Sequence, residues 1–491
     1  MTDLNKAQQY EEVNGQKIDK NDRPLFHVTP YIGWMNDPNG FCWYNGYYHL
    51  FYQYYPYDTN WNSMHWGHVR TKDFIHWEYL PVALAPDKEY DAGGCFSGSA
   101  IEISDGRQLL MYTAVKHERL EDGSEQVLQT QALAVGDGIH FEKYEKNPVI
   151  IGDSLPKGAS KADFRDPKIW KEDGLYYCVV GNRPEDGSGQ ILLYSSKDAF
   201  HWEFVSILAK NENRYGKMWE CPDFFELDGK HVLLVSPQDM LPEDLEFHNG
   251  NGTLCIIGEL DRNVYELKEE NYQAIDYGID FYAPQTLKTP DGRRIMIGWM
   301  QNWDTTGYRL EGSKWFSQMS LPRELSIKNG KLYQLPVKEL ESLRTNKVEY
   351  KNIYMNNQKQ VLDNVKGRHI DMEVVLRKIH NEDCKKFVLR FAEDKKFFTE
   401  LSFFPEESIL KIDRKNSGTR RAYVHQRRCQ INQTNDELKL RIILDKFSAE
   451  IFVNNGEQVI STVLYTEQTA DGISFAVEGS MEMDLVKYDL I

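Results

Sequence analysis

Three short motifs in this 491-residue chain each set an acidic residue among aromatic or basic neighbours. Asp37 lies in Trp34-Met35-Asn36-Asp37-Pro38-Asn39-Gly40, Asp166 in Phe164-Arg165-Asp166-Pro167, and Glu220 in Trp219-Glu220-Cys221-Pro222-Asp223. Two further motifs have the same texture but no acid at the matching place: Cys95-Phe96-Ser97-Gly98-Ser99 and Phe281-Tyr282-Ala283-Pro284-Gln285. Acids are rarely buried unless they are paired or functional. Beside aromatic faces they suit a sugar, which presents C–H patches ringed by hydroxyls. Three carboxylates gathered at one point also raise one another's proton affinity, so one stays protonated while another is ionised. Glycosidic bond hydrolysis needs that division of labour. Any one motif alone is more simply a turn; the case rests on their convergence.

Convergence requires elements that bring distant segments to one place, and the spacing supplies them. Seven or eight residues after each motif comes a turn: Asn45-Gly46, Asp105-Gly106, Asp173-Gly174, Asp228-Gly229 and Asp291-Gly292. An apolar run follows each turn, and such dipeptides between apolar runs predict hairpins with type I′ turns. Counting back from the turns aligns Asp37, Ser97, Asp166, Glu220 and Ala283 as equivalent slots. Turn-to-turn spacings of 60, 68, 55 and 63 residues leave room for four short strands each. A second echo, Asp73-x-x-His76-Trp77, Asp137-x-x-His140-Phe141 and Asp198-x-x-His201-Trp202, recurs after the first three turns. Its histidines read as structural residues, and Cys221 as a small packing residue. Five multi-strand repeats with hardly any helical periodicity predict an all-β fold opening with a five-bladed β-propeller.

The repeats occupy residues 1–334, with 1–25 as an N-terminal extension, and the segment 335–346 is expected to be a linker helix. From 347 to 491 the pattern becomes alternating apolar and polar, which predicts antiparallel sheets with one buried face, a β-sandwich. A formal charge of −17 argues against nucleic acid or an anionic membrane as partner. No apolar stretch approaches the length of a membrane span, and the polar N-terminus has no signal-peptide core. Seven cysteines without metal-type spacing read as reduced thiols in the cytoplasm. A homo-oligomer is compatible with the sequence but not specified by it.

At these motifs the chain resembles glycoside hydrolase family 32, the invertases, sucrose-6-phosphate hydrolases and other β-fructosidases. WMNDPNG, YHLFYQ, MHWGHVRTKDFIHW, CFSGSA, FRDPK, WECPD and FYAPQ occur in the family's order, and AEIFVNNGE resembles its C-terminal module. The resemblance implies Asp37 as nucleophile, Glu220 as acid and base, and Asp166 as the residue that holds fructose hydroxyls and stabilises the transition state. It further implies a fructosyl pocket of Asn36, Gln53, Trp61, Phe96, Ser97, Arg165, Tyr282 and Trp299, with a packing role as the alternative for Trp61 and Trp299. Neither metal nor organic cofactor is expected. Two rivals to hydrolysis are fructosyl transfer by the same residues and carbohydrate binding without catalysis. Arg309 and Lys314 are candidates for contacting a phosphate on the leaving group, or else plain surface charges.

Overall fold

The structure is a computed structural model, and it describes residues 2–307, 312–418, 423–432 and 437–491. Five antiparallel sheets fill residues 33–336. Their inner strands are Gly33–Tyr44, Gly94–Glu102, Ala159–Glu172, Trp219–Leu227 and Tyr282–Lys288. Each sheet runs outward in chain order, so each repeat of the sequence is one blade of a five-bladed propeller. A two-residue strand, Trp315–Phe316, leaves the fifth blade and pairs in parallel with Gly33 and Trp34 of the first.

Local chemistry explains the hairpins. Asn45, Asp173 and Asp228 have positive φ, as do the glycines after them, so the first, third and fourth blades use the expected two-residue turns. The second and fifth blades do not. Only Gly106 and Gly292 are left-handed there, and each closes a wider loop by donating to Ile103 and Thr289 respectively. The echoed aspartates cap turns in the same way each time. Asp73, Asp137 and Asp198 accept two backbone N–H groups each, and Asp73 and Asp198 also bind the exposed His76 and His201.

The second half is a β-sandwich-like sheet of eleven strands. The strand Gly472–Leu490 serves both of its layers, pairing with Cys384–Glu393 in its first part and with Ile370–Arg377 in its second. The segment expected as a linker helix forms a six-residue 3-10 turn, Lys338–Leu343, and Arg344 already begins a strand. Pro336 and the tight spacing of two strands leave no room for a longer helix. The N-terminal extension does hold a helix, α1, Asp3–Gly15, capped by Thr2, whose hydroxyl accepts from the N–H of Asn5. Gln8 donates to the Val82 carbonyl and Glu11 accepts from the Val82 N–H, so α1 lies on the outer strand of the first blade.

A buried polar cluster joins the two halves. Asp445 and Glu450 stand on a sandwich hairpin, and His27, on the arm before the first blade, puts Nδ1 2.8 Å from Asp445 and Nε2 3.0 Å from Glu450. Asp445 also accepts from the N–H groups of Leu25 and Phe26. Glu450 accepts from the Leu321 N–H at 2.7 Å and from Arg323 Nε at 3.0 Å, both in the fifth blade. With a carboxylate at each ring nitrogen, His27 donates twice and so must be cationic. Burial opposes that charge, but the two acids prevail and push its pKa up to about 9.

Candidate active site

In every inner strand the ladder slips register at the motif: at Asn36-Asp37, Ser97, Asp166-Pro167, Cys221-Pro222 and Ala283-Pro284. These are β-bulges, which re-aim a side chain out of the pleat. Asp166, Cys221 and Ala283 take φ of +69°, +49° and +50°, a left-handed backbone costing about 1 kcal/mol or more for each residue. The bulges turn five neighbouring side chains toward the propeller axis. They also correct the count made from the turns. Glu220 is the paired residue just before its bulge, level with Phe96, Arg165 and Tyr282, while Cys221 takes the place of Asp37 and Asp166.

The bulge residues touch one another. Ser97 Oγ donates to Asp37 Oδ2 at 2.8 Å, and the Cys221 N–H donates to Asp166 Oδ2 at 2.9 Å. The Cys221 thiol lies 3.5 Å from Asp37 Oδ2 and 3.7 Å from Asp166 Oδ2. Burial and the carboxylates around it push that thiol far up, so it serves as a neutral spacer between two acids. Asp37 Oδ1 is buried and accepts no hydrogen bond from the described residues.

The residues before the bulges form the adjoining layer. Arg165 reaches Glu220 Oε1 with Nη2 at 2.9 Å and Nε at 3.1 Å, while its Nη1 is held by Asp163 at 2.9 Å. The Tyr282 hydroxyl is 2.7 Å from Glu220 Oε2 and 3.0 Å from the Ser236 carbonyl. That placement suits both protonation states of Glu220. A carboxylate accepts from the tyrosine; a carboxylic acid donates to it while its own proton turns to Ser236. Below, Gln285 Nε2 crosses to the Gly98 carbonyl, and Lys168 Nζ binds Asp223 and the Thr286 carbonyl. These bonds tie the inner strands of the second, third, fourth and fifth blades to one another.

Burial is the main cause raising the pKa of Asp37, to about 6, with Glu220 adding to it and Asn36, Ser97 and Cys221 pulling back. Asp166 is also pushed above the usual carboxylate range by burial, then by Glu220 and Asp37, against the pull of Arg165. Arg165 resists burial because Glu220, Asp166 and Asp163 surround it, and its pKa rises.

All three candidate acids therefore meet at one end of the axis, together with Asn36, Ser97, Arg165 and Tyr282. Gln53 is buried and its amide is fixed by the Cys95 carbonyl. Trp61 is 45% exposed and meets Phe96 edge to face at 5.9 Å, at the rim of the pocket. Trp299 is wholly buried, and its N–H is taken by Ser317, so it is packed within the wall behind Tyr282 and Trp34. The side chain of Lys314 is exposed on a groove of about 760 Å³ between α1 and the sandwich. Arg309 lies outside the described residues.

Several supports were not legible beforehand. Trp34 Nε1 donates to Asn36 Oδ1 at 2.7 Å, and the Asn36 side chain in turn favours the ionised form of Asp37. Thr113 Oγ1 receives the Asp166 N–H at 2.9 Å. Apart from the nearby Trp34–Asn36 pair, these partners come from other strands, and no local signal links them.

Three carboxylates gathered from three blades, one of them held by an arginine and a tyrosine, form the candidate site of a glycoside hydrolase. The chain belongs to glycosyl hydrolases family 32. The model of that family's N-terminal domain matches residues 27–336 and the model of its C-terminal domain residues 339–490. The chain is similar to the sucrose-6-phosphate hydrolase of Escherichia coli, 37% identical over 456 residues, covering 90% of this chain and 89% of that one. It is 35% identical to the raffinose invertase of Escherichia coli, covering 93% and 92%. Among solved structures it resembles the Bombyx mori GH32 beta-fructofuranosidase, with a TM-score of 0.82, 34% identity and 99% and 98% coverage.

Proposed function

We propose that the protein is a retaining β-fructofuranosidase that hydrolyses small β-fructofuranosides such as sucrose or its 6-phosphate. Asp37 Oδ1 attacks the anomeric C2 as the C2–oxygen bond to the leaving group breaks. Glu220 gives its proton to that oxygen. Water then enters, yields a proton to Glu220 and displaces Asp37 from C2, which restores the acid and releases fructose with its original anomeric configuration. Asp166 holds fructose hydroxyls and balances the positive charge that develops at C2. The reading is carried by one observation: three acids from three blades converge, with Asp37 held by Ser97, Asp166 by the Cys221 N–H, and Glu220 by Arg165 and Tyr282.

The named activities of relatives covering more than nine-tenths of their own length support the substrate class. Seven buried, unpaired cysteines and a net charge of −17 fit a cytoplasmic enzyme with a small sugar, and not a polyanion, as partner. Among the described residues no helix is long and apolar enough to cross a membrane.

The test is direct. Asp37→Ala and Glu220→Ala, each shown to be folded, should lose sucrose hydrolysis, and NMR of the wild-type reaction should show β-fructofuranose as the first product. Substantial activity in either variant, or an inverted first product, refutes the assignment. Comparing kcat/KM for sucrose and sucrose-6-phosphate then separates the two substrates.

A further inference from the structure

Helix α1 lies outside the residues matched by the family models, which begin at 27. It nevertheless reaches toward the pocket. Tyr10 meets Tyr57 edge to face, with ring centroids 4.9 Å apart. Tyr57 in turn packs on Tyr55 at 5.5 Å and on His65 at 5.8 Å. Tyr55 ends one strand of the first blade and His65 begins the next, so these contacts grip both ends of the loop 56–64. The loop's centre carries Trp61, whose ring stands over Phe96, the neighbour of Ser97. Its far end is tied to the second blade, where the Met64 carbonyl accepts the Cys95 N–H at 2.9 Å. Within the loop Asp58 accepts from Asn60 and Asn62 from Ser63. Tyr57 itself is 37% exposed, and α1 supplies one of the three rings that pack on it.

We infer that α1 is a positioning element of the substrate pocket, acting through the Tyr10–Tyr57 contact to set the loop that carries Trp61 at the rim. The inference rests on the proposed reaction only for its kinetic readout. An edge-to-face aromatic pair is worth about 0.5–1.5 kcal/mol, or about three- to tenfold in an equilibrium. The contact lies remote from the acids, so its loss should reach substrate binding and leave the bond-breaking step alone.

Tyr10→Ala should raise KM for sucrose about three- to tenfold, with kcat within about twofold of wild type. Tyr10→Phe keeps the ring and should behave as wild type. Gln8→Ala removes the same helix's bond to Val82 and controls for weakened docking, so it should lower stability without raising KM. Tyr57→Ala approaches the contact from its exposed side, and the double variant with Tyr10→Ala should be no worse than either single one. Hydrogen exchange of residues 56–64 should quicken in Tyr10→Ala and not in Gln8→Ala, a readout that stands even if sucrose is not the substrate. An unchanged KM in Tyr10→Ala, equal losses in Gln8→Ala or Tyr10→Phe, additive effects in the double variant, or unchanged exchange in the loop would each overturn the inference.

Discussion

Replacing His27 with Gln offers a measurement whose size follows from the geometry. The imidazolium donates to Asp445 and Glu450 in the folded protein and to water in the unfolded one. Its pKa is therefore about 9 folded against an ordinary 6.5. At 1.36 kcal/mol for each tenfold change in proton affinity, the difference is worth about 3 kcal/mol. The sign is set by the folded value being the higher one. The stabilisation is complete below about pH 6.5 and is lost as pH rises through about 9. His27→Gln keeps a donor near one acid, and Asp445 retains the N–H groups of Leu25 and Phe26 while Glu450 retains Arg323. The variant should therefore fold, but less stably at low pH. With an unfolding entropy of roughly 2.1 cal/mol/K per residue, a chain of 491 residues moves its Tm by about 3 °C for 3 kcal/mol. Scanning calorimetry from pH 6 to pH 9.5 should show the gap between wild type and variant closing as pH rises. A gap that stays constant across that range would refute the doubly donating imidazolium.

Two further outcomes follow from the acid cluster. Below about pH 7, kcat/KM should fall as the interacting carboxylates Asp37 and Asp166 take up protons, and Ser97→Ala, which removes a hydrogen bond that favours the Asp37 carboxylate, should move that limb to higher pH; an unmoved limb argues against Asp37 as one of the titrating acids. Asp166→Asn should lower kcat by about a hundredfold or more with little change in KM, since loss of a charge-stabilising group is felt chiefly in the transition state; steady-state kinetics on sucrose showing a raised KM alone would contradict that role.

Much of this architecture could be read from punctuation. Asn-Gly and Asp-Gly turns forced hairpins at five regular places, and the blade count followed. What the turns could not give was the fine register. A bulge inserts a residue without leaving a distinctive composition, so Glu220 was counted level with Asp37 when Cys221 holds that position. Helix α1 was hidden for a different reason. Its buried face is Ala7, Glu11 and Gly15, small or polar residues that give little hydrophobic periodicity, and only the cap at Thr2 marked it. The acids were visible because their chemistry is local to the motif. Ser236 and Thr113 were not, because their service depends on which strands become neighbours, whereas Asp163, two residues before Arg165 on the same strand, is a local partner that the motif's flank could have shown. Trp299 shows the converse limit: an aromatic residue beside a sugar pocket can be wall instead of lining.

The cluster around His27 has a consequence for how the protein is made. Every residue of the acid pocket lies within the first 300 positions, yet Asp445 and Glu450, which fasten the arm before the first blade to the last blade, come near the chain's end. During synthesis the ring is complete in sequence long before its two ends can be fastened together. A nascent chain halted at residue 336 would carry the whole catalytic set and none of these two fastenings. Hydrolytic activity should therefore emerge late in translation, only after the final hairpins have left the ribosome, and C-terminal truncation should silence a pocket whose three acids it leaves in place.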